Sequence, residues 1–142
     1  MDETQLRFLT AQALYGKDLQ ERRTAVRQLL QADLGPADLA AISLRLEVAM
    51  GCQDEYVRSA AAMLLAGLAP LLPLPPSLAA SLLDLSRSGE PFAREAALRA
   101  ILRIHEQGRC LSPSDARALA ERLEEARRTE GESFALSLFA EE

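Results

Sequence analysis

The chain has 142 residues, of which 49% are hydrophobic, 26% are charged and 4% are aromatic, and its formal net charge is −5. This length is enough for one domain that buries roughly 70% of its unfolded surface, and the composition does not indicate extended disorder. The acidic balance argues against nonspecific nucleic-acid binding, which requires clustered Lys and Arg to displace counterions from phosphates.

The sequence is rich in Ala and Leu, which favour helix, and apolar residues recur at helical spacing between breakers. This pattern predicts eight helical segments, at 3–15, 18–32, 36–50, 54–69, 76–87, 91–107, 113–129 and a short 133–140. The seven Pro lie at segment edges, where a helix begins or has just ended. We therefore predict an all-α fold in a single domain, 1–142, with helix pairs at about 3–32, 36–69, 76–107 and 113–140.

An internal repeat connects the second helix of each predicted pair. With an offset of 36, DEYVRSAAAMLLAGL (54–68) aligns with EPFAREAALRAILRI (90–104), so that Arg58 matches Arg94. An offset of 35 adds the earlier stretch LQERRTAVRQLL more loosely and places Arg23 on Arg58. Gly16 and Gly51 then lie seven residues before the equivalent arginines, where the preceding helix must end.

The first helices of the pairs repeat as well, since PADLAAISLRL (36–46) aligns with PPSLAASLLDL (75–85), and SPSDARALAERL (112–123) has the same opening. The repeating unit is therefore a helix pair of about 36 to 40 residues. A period in this range predicts an α-solenoid, because one helix pair cannot bury its apolar face alone.

The second helices carry an acidic residue, an apolar residue followed by Arg, two small residues and then Leu or Ile. The fourth segment has this pattern in Asp54, Val57, Arg58, Ala60, Ala61, Leu64 and Leu65, and the sixth in Glu90, Pro91, Ala93, Arg94, Ala96, Ala97 and Ile101. The chain thus resembles the HEAT-repeat family of armadillo-like α-solenoids, although the first copy departs from the pattern at Arg22. The resemblance implies a right-handed α-α superhelix of about four helix pairs, the last one truncated, and it specifies architecture without a reaction.

Residues that could carry chemistry are few. His105 is the single His, Cys52 and Cys110 lack metal-ligand spacing, and the HExxH, GxGxxG, GxxxxGK and GxSxG motifs are missing. We therefore expect no catalytic residue, no metal, no cofactor and no enzyme activity. The first residues have no basic region before an apolar run, and no apolar stretch reaches the length of a membrane span, so a cytoplasmic protein without membrane association is expected.

One pair of leucines in the sixth segment does not fit a simple amphipathic helix. Leu98 and Leu102 point away from the apolar stripe that ends at Ile101 and Ile104. In α-solenoids the second helices line the concave surface, so the two leucines could form a partner-binding groove together with Arg94, Arg99 and Arg103. Alternatively, neighbouring helix pairs bury both leucines.

Three functions are compatible with these observations. The leading hypothesis is a non-catalytic adaptor or scaffold that binds a helix or peptide of another protein on its concave face. A secretion or assembly chaperone that holds an aggregation-prone client is the second, and a HEAT-like nucleic-acid-processing protein, disfavoured by the acidic charge, is the third. The apolar C-terminal residues Phe134, Ala135, Leu138 and Phe139 either cap the last pair or dock onto a second copy, giving a homodimer.

Overall fold

The fold was analysed in a computed structural model, which describes residues 1–72, 76–107 and 112–129. Seven helices contain 81% of these residues, and no strand is present within these ranges. The helices are α1 Glu3–Tyr15, α2 Leu19–Gln31, α3 Pro36–Met50, α4 Glu55–Leu68, α5 Pro76–Leu85, α6 Pro91–Gln107 and α7 Pro113–Thr129. The all-α class is confirmed, as are seven of the eight predicted segments. The eighth, 133–140, lies outside the described residues.

Local signals explain where the helices begin. Asp18 Oδ1 accepts a hydrogen bond from the backbone N–H of Glu21 at 2.8 Å, and Asp54 Oδ1 accepts one from the N–H of Tyr56 at 2.8 Å. These contacts satisfy amide groups that have no acceptor within the first turn. Each of α3, α5, α6 and α7 has proline as its first residue, where the missing N–H carries no penalty.

The helices are arranged in two rows. One row contains α1, α3, α5 and α7, each in contact with the next, and the other contains α2, α4 and α6, with the most extensive contact between α4 and α6. The rows are joined within the pairs α1–α2, α3–α4 and α5–α6. The seventh helix also contacts α6. Each pair is thus covered by the pair that follows it.

The hydrophobic core lies between these rows. Its largest fully buried side chains include Leu14, Leu29, Ile42, Leu46, Leu64, Leu65, Leu82, Leu85 and Ile101. Because these side chains come from both rows, burial depends on the stacking of pairs as well as on each pair's own contact. A fully buried leucine or isoleucine contributes about 1.5 to 3 kcal/mol through the apolar surface it removes from water.

The structure corrects the predicted register of the first repeat copy. Leu29, Leu65 and Ile101 are fully buried at intervals of 36, and the capping residues Asp18 and Asp54 are separated by the same interval. The offset of 35 is therefore wrong. A shift of one residue rotates a helical position by 100°, so the exposed Arg23 cannot be equivalent to the half-buried Arg58. In the corrected register Arg22 takes that place.

Two arginine contacts fix α7 to the end of α5. Arg122 is buried and donates from Nε to Ser86 Oγ at 3.0 Å and from Nη2 to the Ser86 carbonyl oxygen at 2.7 Å. Arg87 forms a bidentate pair with Glu125, with distances of 2.9 Å from Nη1 to Oε1 and 3.2 Å from Nη2 to Oε2. A guanidinium beside the C-terminal end of α5 also interacts favourably with the dipole of that helix.

Candidate functional site

A groove runs along the row formed by the second helices. It consists of two adjoining depressions of about 480 and 370 Å³ that share Arg23, Val26, Met63 and Phe92. The larger depression is lined by residues of α2, α4 and α6, and the smaller one extends it past the beginnings of α2 and α4. We refer to the two together as the α2–α4–α6 groove.

The floor of the groove is apolar. It contains Val26 of α2, Met63 and Ala66 of α4, and Ala96 and Leu102 of α6. Methionine has an unbranched, polarizable side chain that adapts to irregular surfaces, so Met63 suits a site that receives a partner's side chains. The floor can therefore accept aliphatic groups without a fixed shape.

A close contact between α2 and α4 shapes one end of the groove. A Cβ atom added at Gly67 would lie 2.6 Å from Leu30 Cδ2, which is too close for ordinary packing. Glycine at this position therefore lets Leu30 lie against α4. The Leu30 side chain remains 43% exposed and lines the groove. It presents apolar surface to any bound group.

Basic side chains are more numerous than acidic ones along the groove. The basic residues are Lys17, Arg22, Arg23, Arg99 and Arg103, and the acidic ones are Asp18, Asp54 and Glu95. This balance is opposite in sign to the net charge of −5 for the whole chain. A partner that approaches the groove therefore meets a local excess of positive charge.

The acidic groups of the groove are already engaged within the chain. Asp18 and Asp54 cap their helices, and Glu95 Oε1 accepts a hydrogen bond from Arg99 Nη2 at 2.7 Å. Arg22 Nε donates to the carbonyl oxygen of Gly16 at 2.7 Å. These contacts give the groove's carboxylates structural roles and supply no pair of carboxyl groups arranged for acid–base chemistry.

The structure brings three of the five residues predicted for partner binding to the groove, namely Arg99, Leu102 and Arg103. Leu98 is fully buried and does not line it, so its predicted place in an open groove is corrected. The reason is that α6 packs against α4, α5 and α7, which extends its buried arc well beyond one stripe. Leu102 is also buried, at 5% exposed, so the alternative in which neighbouring helices bury both leucines is confirmed. Leu102 still contributes to the lining of the groove.

Arg94 also lies outside the groove lining. Its Nη1 donates to the carbonyl oxygen of Ser88 at 3.2 Å, between the end of α5 and the start of α6. The equivalent Arg58 pairs through Nη1 with Asp84 Oδ2 of α5 at 3.3 Å and through Nη2 with Glu55 Oε1 at 3.6 Å. Both arginines thus make intrachain contacts, and Arg94 does not contribute to the lining of the groove.

The sequence pattern did not identify the groove residues of α2 and α4. Val26 and Leu30 are four residues apart, which placed them on one face of α2, but that face could not be assigned to a groove from one helix alone. Tyr56 and Phe92 gave a second signal, because they are separated by 36 and Tyr56 is 63% exposed. Tyr56 is exposed and Phe92 is half-buried, and aromatic residues are enriched among those that contribute most to binding at protein interfaces.

The other candidate residues do not form a second site. His105 is exposed in the last turn of α6, Cys52 is a half-buried free thiol, and Cys110 lies outside the described residues. In residues 1–72, 76–107 and 112–129, no group of three or more His, Cys, Asp or Glu is placed to hold a metal ion. None of the helices in these ranges combines the length and apolarity needed to cross a membrane.

Comparison with known proteins gives no relative from which a role could be transferred. No family model, curated protein or solved structure matches this sequence.

Proposed function

We propose that this protein is a non-catalytic adaptor or scaffold that binds a helix or peptide of a partner protein in the α2–α4–α6 groove. The observation that carries this proposal is the continuity of the groove across three helices, with an apolar floor and exposed apolar and aromatic side chains at its margin. Peptide and helix recognition uses such a surface, with a few apolar anchors seated in a groove and polar contacts around them.

The proposal includes a HEAT-like, right-handed superhelix as the architecture. Three features support it: the two rows of alternate helices, the interval of 36 between equivalent buried residues, and the arginine near the start of each second helix. In this arrangement the groove is the concave face formed by the second helices. A concave row of parallel helices gives a partner segment an extended surface.

A client-holding chaperone is the second candidate. It is favoured by apolar surface outside the groove, where Leu44 and Val48 lie four residues apart on α3 and are 65% and 71% exposed. A chaperone would use this face together with the groove and would bind unfolded chains. An adaptor would bind a defined segment through the groove alone.

Site-specific crosslinking distinguishes these functions. A photoreactive amino acid is introduced at position 30, in the groove, or at position 44, on α3, and the full chain is exposed to lysate from its source organism. An adaptor crosslinks one defined partner from position 30 and not from position 44. Crosslinking of many proteins from both positions supports the chaperone instead. If Met63→Asp, with the photoreactive amino acid still at position 30, leaves the captured proteins unchanged, the groove is not the binding site.

A further inference from the structure

We infer that the segment bound in the α2–α4–α6 groove is an acidic amphipathic helix, whose apolar stripe lies on the floor and whose carboxylates face Arg23 and Arg103. This inference rests on the proposed function and adds the chemical class of the partner. If it is correct, the groove binds an acidic helix more tightly than a neutral or basic helix that has the same apolar stripe.

Arg23 and Arg103 are the cations best placed for this role. Both side chains are exposed and line the larger depression, Arg23 on α2 and Arg103 on α6, the two helices that flank α4. Neither forms an ion pair within the part of the chain that the structure describes. With respect to the described residues, both charges are therefore available to pair with a ligand, one on each side of the apolar floor.

The remaining groups of the groove do not offset these two charges. Arg99 and Glu95 pair with each other on α6, and the carboxylates of Asp18 and Asp54 accept backbone hydrogen bonds. A basic partner would therefore meet Arg23 and Arg103 without gaining an uncommitted carboxylate. Like charges brought together at an interface weaken binding, so the two arginines disfavour a basic partner.

The apolar part of the groove sets the shape of the partner. Leu30, Met63 and Phe92 line it at successive helices and are each at least partly exposed. A helix presents apolar residues at i, i+3, i+4 and i+7 on one side and leaves its other positions for charge. Carboxylates beside this stripe would then reach the arginines on α2 and α6.

The test uses three synthetic 18-residue helices, a length of about 27 Å at 1.5 Å per residue. All have Leu in one stripe, and the other face contains mainly Glu, Gln or Lys. Fluorescence anisotropy with the full chain should give the highest affinity for the Glu peptide. Two exposed ion pairs change affinity by up to about 30-fold at low salt, and added salt should reduce the difference between the Glu and Gln peptides.

Charge reversal tests the two arginines directly. The double variant Arg23→Glu with Arg103→Glu should bind the Lys peptide more tightly than the Glu peptide. The control Arg27→Glu with Arg117→Glu has the same net charge but alters exposed arginines outside the groove, and it should keep the original preference. If the double variant does not fold, as judged by its thermal unfolding, Arg23→Gln and Arg103→Gln are tested singly.

Each result leads to a decision. Equal affinity for the Glu and Gln peptides, or preference for the Lys peptide, overturns the acidic-partner inference and leaves the proposed adaptor function standing. Binding of none of the three peptides overturns the groove as a helix-binding site and the inference with it. An equal loss of preference in the control variant shows that net charge, and not these two arginines, determines selectivity.

Discussion

Arg22 and Arg94 make the same contact in two different helix pairs. Each donates a hydrogen bond to the carbonyl oxygen six residues earlier, from Arg22 Nε to Gly16 at 2.7 Å and from Arg94 Nη1 to Ser88 at 3.2 Å. Gly16 follows the end of α1, and Ser88 follows the end of α5. In both pairs the arginine of the second helix therefore holds the segment that leaves the first helix.

Replacing Arg22 with Met should destabilise the protein, whereas Arg23→Met should not. The half-buried Arg22 would lose a charge-assisted hydrogen bond, at a cost of about 1.5 to 3 kcal/mol. Arg23 is exposed and has no ion pair in the described ranges, so its replacement should change stability by less than about 0.5 kcal/mol. Urea unfolding of both variants measures the difference. Equal stabilities would mean that the contact with Gly16 contributes nothing.

Gly16→Ala should destabilise the chain, and Gly89→Ala should stabilise it slightly. A Cβ atom at Gly16 would lie 2.6 Å from the backbone oxygen of Gln12, and backbone cannot move aside as a flexible side chain can. A Cβ atom added at Gly89 would meet no atom of a non-neighbouring residue within 4 Å. Alanine there would therefore act mainly by reducing the entropy of the unfolded chain, which should stabilise the fold by about 0.4 to 1 kcal/mol. Thermal unfolding should show opposite shifts. A tolerated Gly16→Ala would contradict the tight turn at the end of α1.

Leu98→Ala should lower the free energy of unfolding by about 2 to 5 kcal/mol, because Leu98 is fully buried and alanine would leave a cavity. Leu44→Ala is the matched control, since Leu44 is 65% exposed and should lose less than about 0.5 kcal/mol. The measurement is the urea midpoint of each variant at equal slope. If the Leu98→Ala variant is as stable as the Leu44→Ala variant, Leu98 is a surface residue and not a buried one.

Stability should depend on pH through the pair formed by Arg87 and Glu125. The hydrogen bond from Arg87 holds the pKa of Glu125 below its ordinary value, so the pair stabilises the fold above the unfolded-state pKa. This contribution decreases as pH falls through the lower, folded-state pKa. Because Arg87 is exposed and Glu125 is only half-buried, the effect should be small and sensitive to salt.

The Glu125→Gln variant measures this contribution. Its melting temperature should lie below that of the unmodified chain near pH 7, and the two should converge only as pH falls through the lowered, folded-state pKa of Glu125. Glu124→Gln is the control, because Glu124 is exposed and forms no ion pair in the described ranges. A difference that persists at low pH would show that Glu125 acts through packing and not through its charge.

The sequence by itself determined the helices of this protein, because their boundaries depend on local chemistry. The signals that start a helix act within one turn, as the prolines at 36, 91 and 113 and the capping residues Asp18 and Asp54 do. The predicted helix starts therefore lie within one residue of those observed. The fifth helix was predicted to reach 87 and ends at Leu85, where the next two residues contact α7 instead. The C-terminal boundary of α5 depends on contacts with α7, so the residues next to it in the sequence could not predict it.

The tertiary structure alone decided which apolar residues face the groove. Leu98 and Leu102 are about 40° apart around α6, an angle too small for helical periodicity to separate them. α6 packs against α4, α5 and α7, and both leucines are buried, Leu98 completely and Leu102 to 5% exposure. Of the two, Leu102 lines the groove. The groove itself combines Arg23, Met63 and Arg103 from three helices. Their juxtaposition depends on how the helix pairs stack, and the periodicity of a single helix contains no information about its neighbours.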